Sequence, residues 1–256
     1  MRRLLIIGIG AGDPEQITVQ AVKALNRADV FFVIDKGAVK QDLMLLRQEI
    51  CERYIDGRPY RMVPVPDPVR DRRAPDYQPA VEQWRRERAE IYASLISGEL
   101  GDGDCGAFLV WGDPAVYDST LAVIEQVMDM GTVELEYEVI PGISSIQSLA
   151  ARHRVSLTRV GRPVHITTGR RLAEDGFPEG CDDVIVMLDA SCSFAGRVPA
   201  DTEIYWGAYL GTKDEILVSG TVADVAGQIQ AARGEARARK GWIMDTYLLR
   251  RPGARS

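Results

Sequence analysis

Short apolar runs alternate with stretches whose apolar residues recur every three or four positions through the first half of the chain. That is the pattern of strands buried on both faces with helices packed over them. Leu4 to Ile9 is one such run, and Ile17, Ala21, Val22 and Leu25 follow at helical spacing. Val30-Phe31-Phe32-Val33-Ile34 is the next, followed by a helix predicted over Val39 to Tyr54 with Leu43, Leu46 and Ile50 on one face. Tyr60 to Val65 reads as a strand, and the segment from about Pro79 to Ser97 as a helix carrying Val81, Trp84, Ile91 and Leu95 on one stripe. Cys105 to Trp111 is a further strand and Leu121 to Met130 an amphipathic helix. Glu134, Glu136 and Glu138 then alternate with Val133, Leu135, Tyr137 and Val139, the period of a half-exposed strand, before a last helix through Ala151.

The texture changes across Arg152 to Pro163. Val164 to Thr168, Asp183 to Leu188, Glu203 to Tyr209, Glu215 to Ser219 and Trp242 to Leu249 read as strands and Val222 to Ala232 as a helix, while Gly169 to Gly180 and Gly234 to Lys240 read as irregular. The prediction is α/β in two domains: an α/β domain over residues 1–155, whose part before Leu109 is of mononucleotide type, and a mixed α/β domain over 156–256.

The stretch that organises this layout is Leu109-Val110-Trp111-Gly112-Asp113-Pro114-Ala115-Val116-Tyr117, a strand running into a tight acidic turn, with Asp118-Ser119-Thr120 offering N-cap chemistry to the helix behind it. In open α/β sheets such carboxyl-edge turns are where ligands bind; an ordinary βα turn has the same composition. The first strand ends in Gly8-Ile9-Gly10-Ala11-Gly12-Asp13-Pro14. A dinucleotide fingerprint needs a third glycine where Asp13 stands, so that pattern fails. Asp35 sits at the tip of a buried strand, either as a site carboxylate or as a solvated turn residue. Ser144 and Ser145, after Pro141-Gly142, can cap the following helix and can also face a ligand. Arg88 falls on the apolar stripe of its helix, where a guanidinium must meet an anion, from the protein or bound to it. Just upstream, Pro66 to Pro75 is a proline-rich, charged stretch of the length that tends to be functional or mobile.

Composition narrows the classes further. The 256 residues are 46% hydrophobic, ordinary for a folded globular chain. The N-terminal apolar run is broken at once by glycines, too short for a secretory signal, and no later stretch approaches a membrane span. Four scattered cysteines and two histidines argue against a metal site or disulfide framework and favour a reducing cytoplasm. The net charge of −6 argues against nucleic acid as a partner; an anionic substrate needs a local basic pocket.

Taken together, the Gly8 to Pro14 loop, Ala28-Asp29-Val30 with Asp35, Trp111-Gly112-Asp113-Pro114, Pro141-Gly142-Ile143-Ser144-Ser145, Ser156-Leu157-Thr158, the strand ending in Met187, and Gly220-Thr221-Val222-Ala223-Asp224 resemble the tetrapyrrole (precorrin) methyltransferases. The departure is Ala11, where many relatives carry proline. The resemblance implies the two-domain tetrapyrrole methylase fold (class III), not a classical Rossmann methyltransferase, with S-adenosylmethionine as donor, a small-molecule tetrapyrrole as substrate, no membrane partner and a homodimer. It implies a donor folded in the cleft between the domains. Ala11 would lie in the first loop, and Trp111, Gly112, Asp113 and Val116 would line the methionine and ribose side. Ser144 and Ser145 would contact the donor, Met187 would offer backbone groups to adenine, and Gly211 would close the far wall. Asp35 is the candidate for managing a substrate proton, with Tyr117 and Arg88 as candidates for the remaining acid-base work. The alternatives are methylation at another corrin carbon, methylation of a protein as in diphthine synthases, or a noncatalytic module that binds donor or tetrapyrrole. A nicotinamide dehydrogenase is weaker because of Asp13.

Overall fold

A computed structural model describes residues 1–35, 41–68 and 77–252. The chain packs as two units, residues 1–10 with 14–143, and 11–13 with 144–256. The division falls at Ile143/Ser144, ahead of the boundary expected near 156, and it assigns the short loop Ala11–Asp13 to the second unit.

The first unit is a parallel sheet of five strands: β1 (Arg2–Gly8), β2 (Val30–Asp35), β3 (Arg61–Pro66), β4 (Cys105–Val110) and β5 (Leu135–Ile140), ordered β3-β2-β4-β1-β5. Helices α1 (Val19–Leu25) and α2 (Gln41–Tyr54) cover one face, and α3 (Tyr77–Glu99) and α4 (Thr120–Met130) the other. Leu5, Ile7, Phe31 and Leu109 point to the first face and meet Leu25, Leu46 and Ile50. Leu4, Ile6, Phe32 and Phe108 point to the second and meet Tyr92, Ile96, Val123 and Val127. The continuous apolar runs therefore serve two layers at once, as predicted, and Tyr92 stacks on Phe108 with centroids 4.5 Å apart.

Local signals set the helix ends. Thr18 Oγ1 accepts from Ala21 N at 3.0 Å to start α1. At α4 the residue in the cap position, Ser119, makes no side-chain cap bond; the carboxylate of Asp118 accepts from Thr120 N at 2.7 Å instead. The alternation in β5 predicted one buried face, yet Tyr137 and Val139 remain 37% and 39% exposed. β5 is an edge strand paired only with β1, so only its two ends, Leu135 and Ile140, reach the core.

The second unit is a mixed sheet of β6 (Val164–Thr168), β7 (Asp183–Met187), β10 (Asp245–Arg250), β8 (Glu203–Ala208) and β9 (Ile216–Thr221) in that spatial order, with only β6 and β7 parallel. Helix α5 (Ser145–His153) packs here: its Leu149 lies against Gly207 of β8, which is why the division precedes it. The segment expected to be irregular from Gly169 begins as a helix, α6 (Gly169–Asp175), and the helix expected over Val222 to Ala232 runs on through the stretch Gly234 to Lys240, also expected to be irregular, as α7 (Val222–Lys240). In α7 the buried positions Val222, Val225, Ile229, Arg233 and Ala236 continue straight through Gly234, and the helix stops only at Gly241, in the left-handed region. Among the described residues no helix is long and apolar enough to cross a membrane.

Candidate active site

The carboxyl edge of the first sheet is where three turns meet. The loops after β1 and β4 lead to helices on opposite faces, the arrangement that leaves a crevice at a parallel sheet's carboxyl ends. Gly10 and Gly112 join these loops as a two-way backbone bridge, Gly112 N to Gly10 O at 2.7 Å and Gly10 N to Gly112 O at 3.3 Å. Gly112 adopts φ 71°, as the sharp turn requires. The turn after β5 closes over them so tightly that a Cβ on Gly142 would lie 2.1 Å from Gly112 O. Asp113 locks the arrangement, its Oδ1 accepting from Ala115 N at 2.8 Å and its Oδ2 from Gly142 N at 2.9 Å. Asp113 was expected to line the donor; its carboxylate is used to hold two turns in register.

Around this turn Trp111 and Val116 are half-buried, and Tyr117 is 46% exposed at φ 49°. The left-handed conformation costs a tyrosine about 1–2 kcal/mol, strain of the kind that collects at functional turns. Partial desolvation raises its phenol, keeping it protonated. Asp35 ends β2 opposite Pro66; its side chain lies outside the described residues, as do 36–40 and 69–76.

Arg88 is 3% exposed, and its anion comes from the protein: Asp67 Oδ1 stands 3.1 Å from Nε. Its other nitrogens donate to Ser119 Oγ at 2.8 Å and Tyr92 Oη at 3.0 Å, and its plane lies over Trp84, 4.6 Å from the ring centroid. The ion-pair alternative for Arg88 thus describes its geometry. The guanidinium that sequence reading missed is Arg47 of α2, which donates from Nε to Leu109 O at 3.0 Å and from Nη1 to Leu43 O at 2.7 Å. Its signal was the one that marked Arg88: it shares a helical stripe with Leu43, Leu46 and Ile50.

In the second unit Ser144 is buried and caps α5, its hydroxyl accepting from Ile146 N at 3.2 Å, with Ser145 half-buried behind it. The capping expectation holds, and the hydroxyl proton is still available to donate. Ala11 is buried, and the following loop abuts the turn after β8: a Cβ on Gly211 would stand 2.7 Å from Asp13 N. Gly211 N in turn donates to Glu215 Oε2 at 2.7 Å. Met187 is half-buried at the end of β7, and Leu188 after it has φ 54° and is 61% exposed. Behind them Asp189, also missed, accepts from Ser191 N at 2.9 Å, Ser193 N at 2.6 Å, Ser193 Oγ at 2.9 Å and Tyr247 Oη at 2.7 Å. Its signal was Asp189-Ala190-Ser191-Cys192-Ser193, an Asx turn with hydroxyls in reach.

Comparison with known proteins places this architecture. The family model of the tetrapyrrole (corrin/porphyrin) methylases matches residues 3–226, and the chain belongs to that family. It is 52% identical over 251 residues to a precorrin-6A synthase [deacetylating] of Sinorhizobium sp, covering 98% of this chain and 96% of that one. The crystal structure of a cobalamin synthesis related protein (CobF) from Corynebacterium diphtheriae superposes with TM-score 0.84 at 37% identity, covering 99% of this chain and 100% of that one. Uroporphyrin-III C-methyltransferase from Thermus thermophilus, solved with S-adenosyl homocysteine, shares the fold with TM-score 0.56 at 18% identity, over 96% of each chain. The fold is that of the two-domain tetrapyrrole methylases, as the motifs implied, and not a classical Rossmann methyltransferase.

Proposed function

We propose that the chain is an S-adenosylmethionine-dependent methyltransferase of cobalamin biosynthesis that methylates precorrin-5 at C1 and releases the acetyl group as acetate, giving precorrin-6A. The near full-length match to a precorrin-6A synthase carries this reading. We place it in the cytoplasm as a homodimer, with neither nucleic acid nor membrane as partner.

The residues present suit a sulfonium nucleoside. Half-buried Trp111 and Val116 give an apolar wall, Gly112 lets a ligand approach the main chain, and Ser144 retains a hydroxyl proton. Ala11, Ser145, Met187 and Gly211 are the further candidates in the second unit, while in the first Asp113 acts through the backbone of the turns it holds. The donor supplies an electrophilic methyl group, and the conjugated macrocycle supplies the electron-rich carbon. The protein's main task is alignment, worth roughly 7–11 kcal/mol when reacting atoms are held in line. Asp35, at the tip of β2, takes up the proton that the macrocycle must release. Loss of the acetyl group requires water to add to its carbonyl carbon, the bond to the ring to break with its electron pair passing into the macrocycle, and acetate to leave. Tyr117, held protonated, donates to the oxygen that gains charge in that step. Arg88 keeps the wall around it in place through Asp67 and Ser119.

Incubation with precorrin-5 and methyl-labelled donor tests the reading: the product is expected to gain one labelled methyl and lose the acetyl mass, with free acetate in equal amount. Methylation without acetate, or label on another carbon, would overturn it. Asp35→Asn is expected to slow single turnover by about 100-fold or more while S-adenosylhomocysteine binds as before. An unchanged rate would remove Asp35 from the mechanism.

A further inference from the structure

The first sheet parts at its carboxyl edge. Pairing between β2 and β4 stops at Phe32 and Phe108, although β2 continues beside β3 to Asp35 and β4 beside β1 to Val110. Val110 O is taken by Ile9 N on the β1 side, so Leu109 O turns toward the gap where a β2 amide would have met it. Arg47 Nε fills that role, and Nη1 reaches back to Leu43 O. Two neutral carbonyls are thus its hydrogen-bond partners, and among the described residues no carboxylate lies within ion-pair distance. A cation so placed is costly. Burial lowers its pKa to about 10, with Asp118 and Tyr92 offsetting part of the effect. A neutral glutamine could satisfy Leu109 O without that cost, so sheet completion alone does not account for the charge. The outer edge of the guanidinium, Nη1 and Nη2, is the fork that receives a carboxylate in bidentate fashion.

We infer that Arg47, set in the gap between β2 and β4 beside the Trp111–Tyr117 turn, is the counter-ion for one carboxylate of the substrate, an assignment that rests on the tetrapyrrole reading above. Arg88 differs in that its charge is already met by a protein carboxylate, Asp67, 3.1 Å from Nε.

The test uses uroporphyrin, a stable polycarboxylate tetrapyrrole, titrated by fluorescence against the full chain, with S-adenosylhomocysteine affinity measured alongside by calorimetry. Arg47→Met is expected to weaken porphyrin binding about 10-fold or more and leave nucleoside binding unchanged. Asp118→Asn, at an exposed position whose amide oxygen can still accept from Thr120 N, is expected to tighten porphyrin binding about two-fold at low salt. Equal porphyrin affinity in Arg47→Met and the parent overturns the inference. If that variant does not fold, an unchanged affinity in Asp118→Asn overturns it. A parent protein that binds nucleoside but no porphyrin overturns the substrate reading itself.

Discussion

Gly142→Ala is expected to lower the melting temperature of the first unit by roughly 6–12 °C in differential scanning calorimetry, equivalent to about 3 kcal/mol in a chain of this size. A Cβ at this position would lie 2.1 Å from Gly112 O and 2.8 Å from Gly8 Cα, so both neighbours are main chain and neither can swing aside. Overpacking against flexible side chains costs about 1–3 kcal/mol, and backbone neighbours put this site at the upper end or beyond. The same displacement would pull Gly142 N from Asp113 and shift the turn carrying Trp111 and Val116. Donor affinity should therefore fall together with stability. A variant that melts with the parent and binds S-adenosylhomocysteine equally well would mean that the three turns do not meet at this edge.

The parts of the site legible in the sequence were those written in backbone chemistry. Gly112 sits where the turn needs a left-handed residue, and Ser144 where a helix needs a cap; both signals are local. The parts missed were written in long-range pairing. Arg47 and Arg233 were missed although, like Arg88, each occupies an apolar stripe of a helix and is admitted there by a partner outside that helix: Leu109 O for Arg47, Asp245 for Arg233 and Asp67 for Arg88. Arg88 was singled out because its stripe was read as interrupted by a charge, whereas α2 and α7 were read from their apolar residues alone. That habit also cut α7 short. Gly234 costs a helix about 1 kcal/mol relative to alanine, but Ile229, Arg233 and Ala236 around it are buried, and tertiary packing outweighs the local penalty. In β5 the error ran the other way: a clean alternation promised a buried face, and the edge position left half of it uncovered.

Asp189→Ala should be the most damaging change in the second unit. Asp189 is 3% exposed and accepts from two backbone amides, a serine hydroxyl and the phenol of Tyr247, which burial and this carboxylate keep protonated. Alanine would strand these donors where water cannot replace the acceptor, at about 1–3 kcal/mol for each one left fully buried. A loss of about 3 kcal/mol or more is expected, seen as a fall of roughly 6–12 °C in the melting temperature. Asp189→Asn, which keeps one acceptor oxygen, should lose about half as much. The link to function runs through the main chain. Asp189 fixes the start of the turn after β7, and Arg233 Nη2 binds its carbonyl at 2.6 Å, so Met187 and the strained Leu188 are held from behind. If Met187 presents its backbone to the adenine, Asp189→Ala assayed well below its melting point should weaken S-adenosylhomocysteine by about 10-fold while leaving uroporphyrin binding alone. If nucleoside affinity is retained although the melting temperature falls, Met187 is not the adenine contact, and the residues that hold that ring must be sought on another loop.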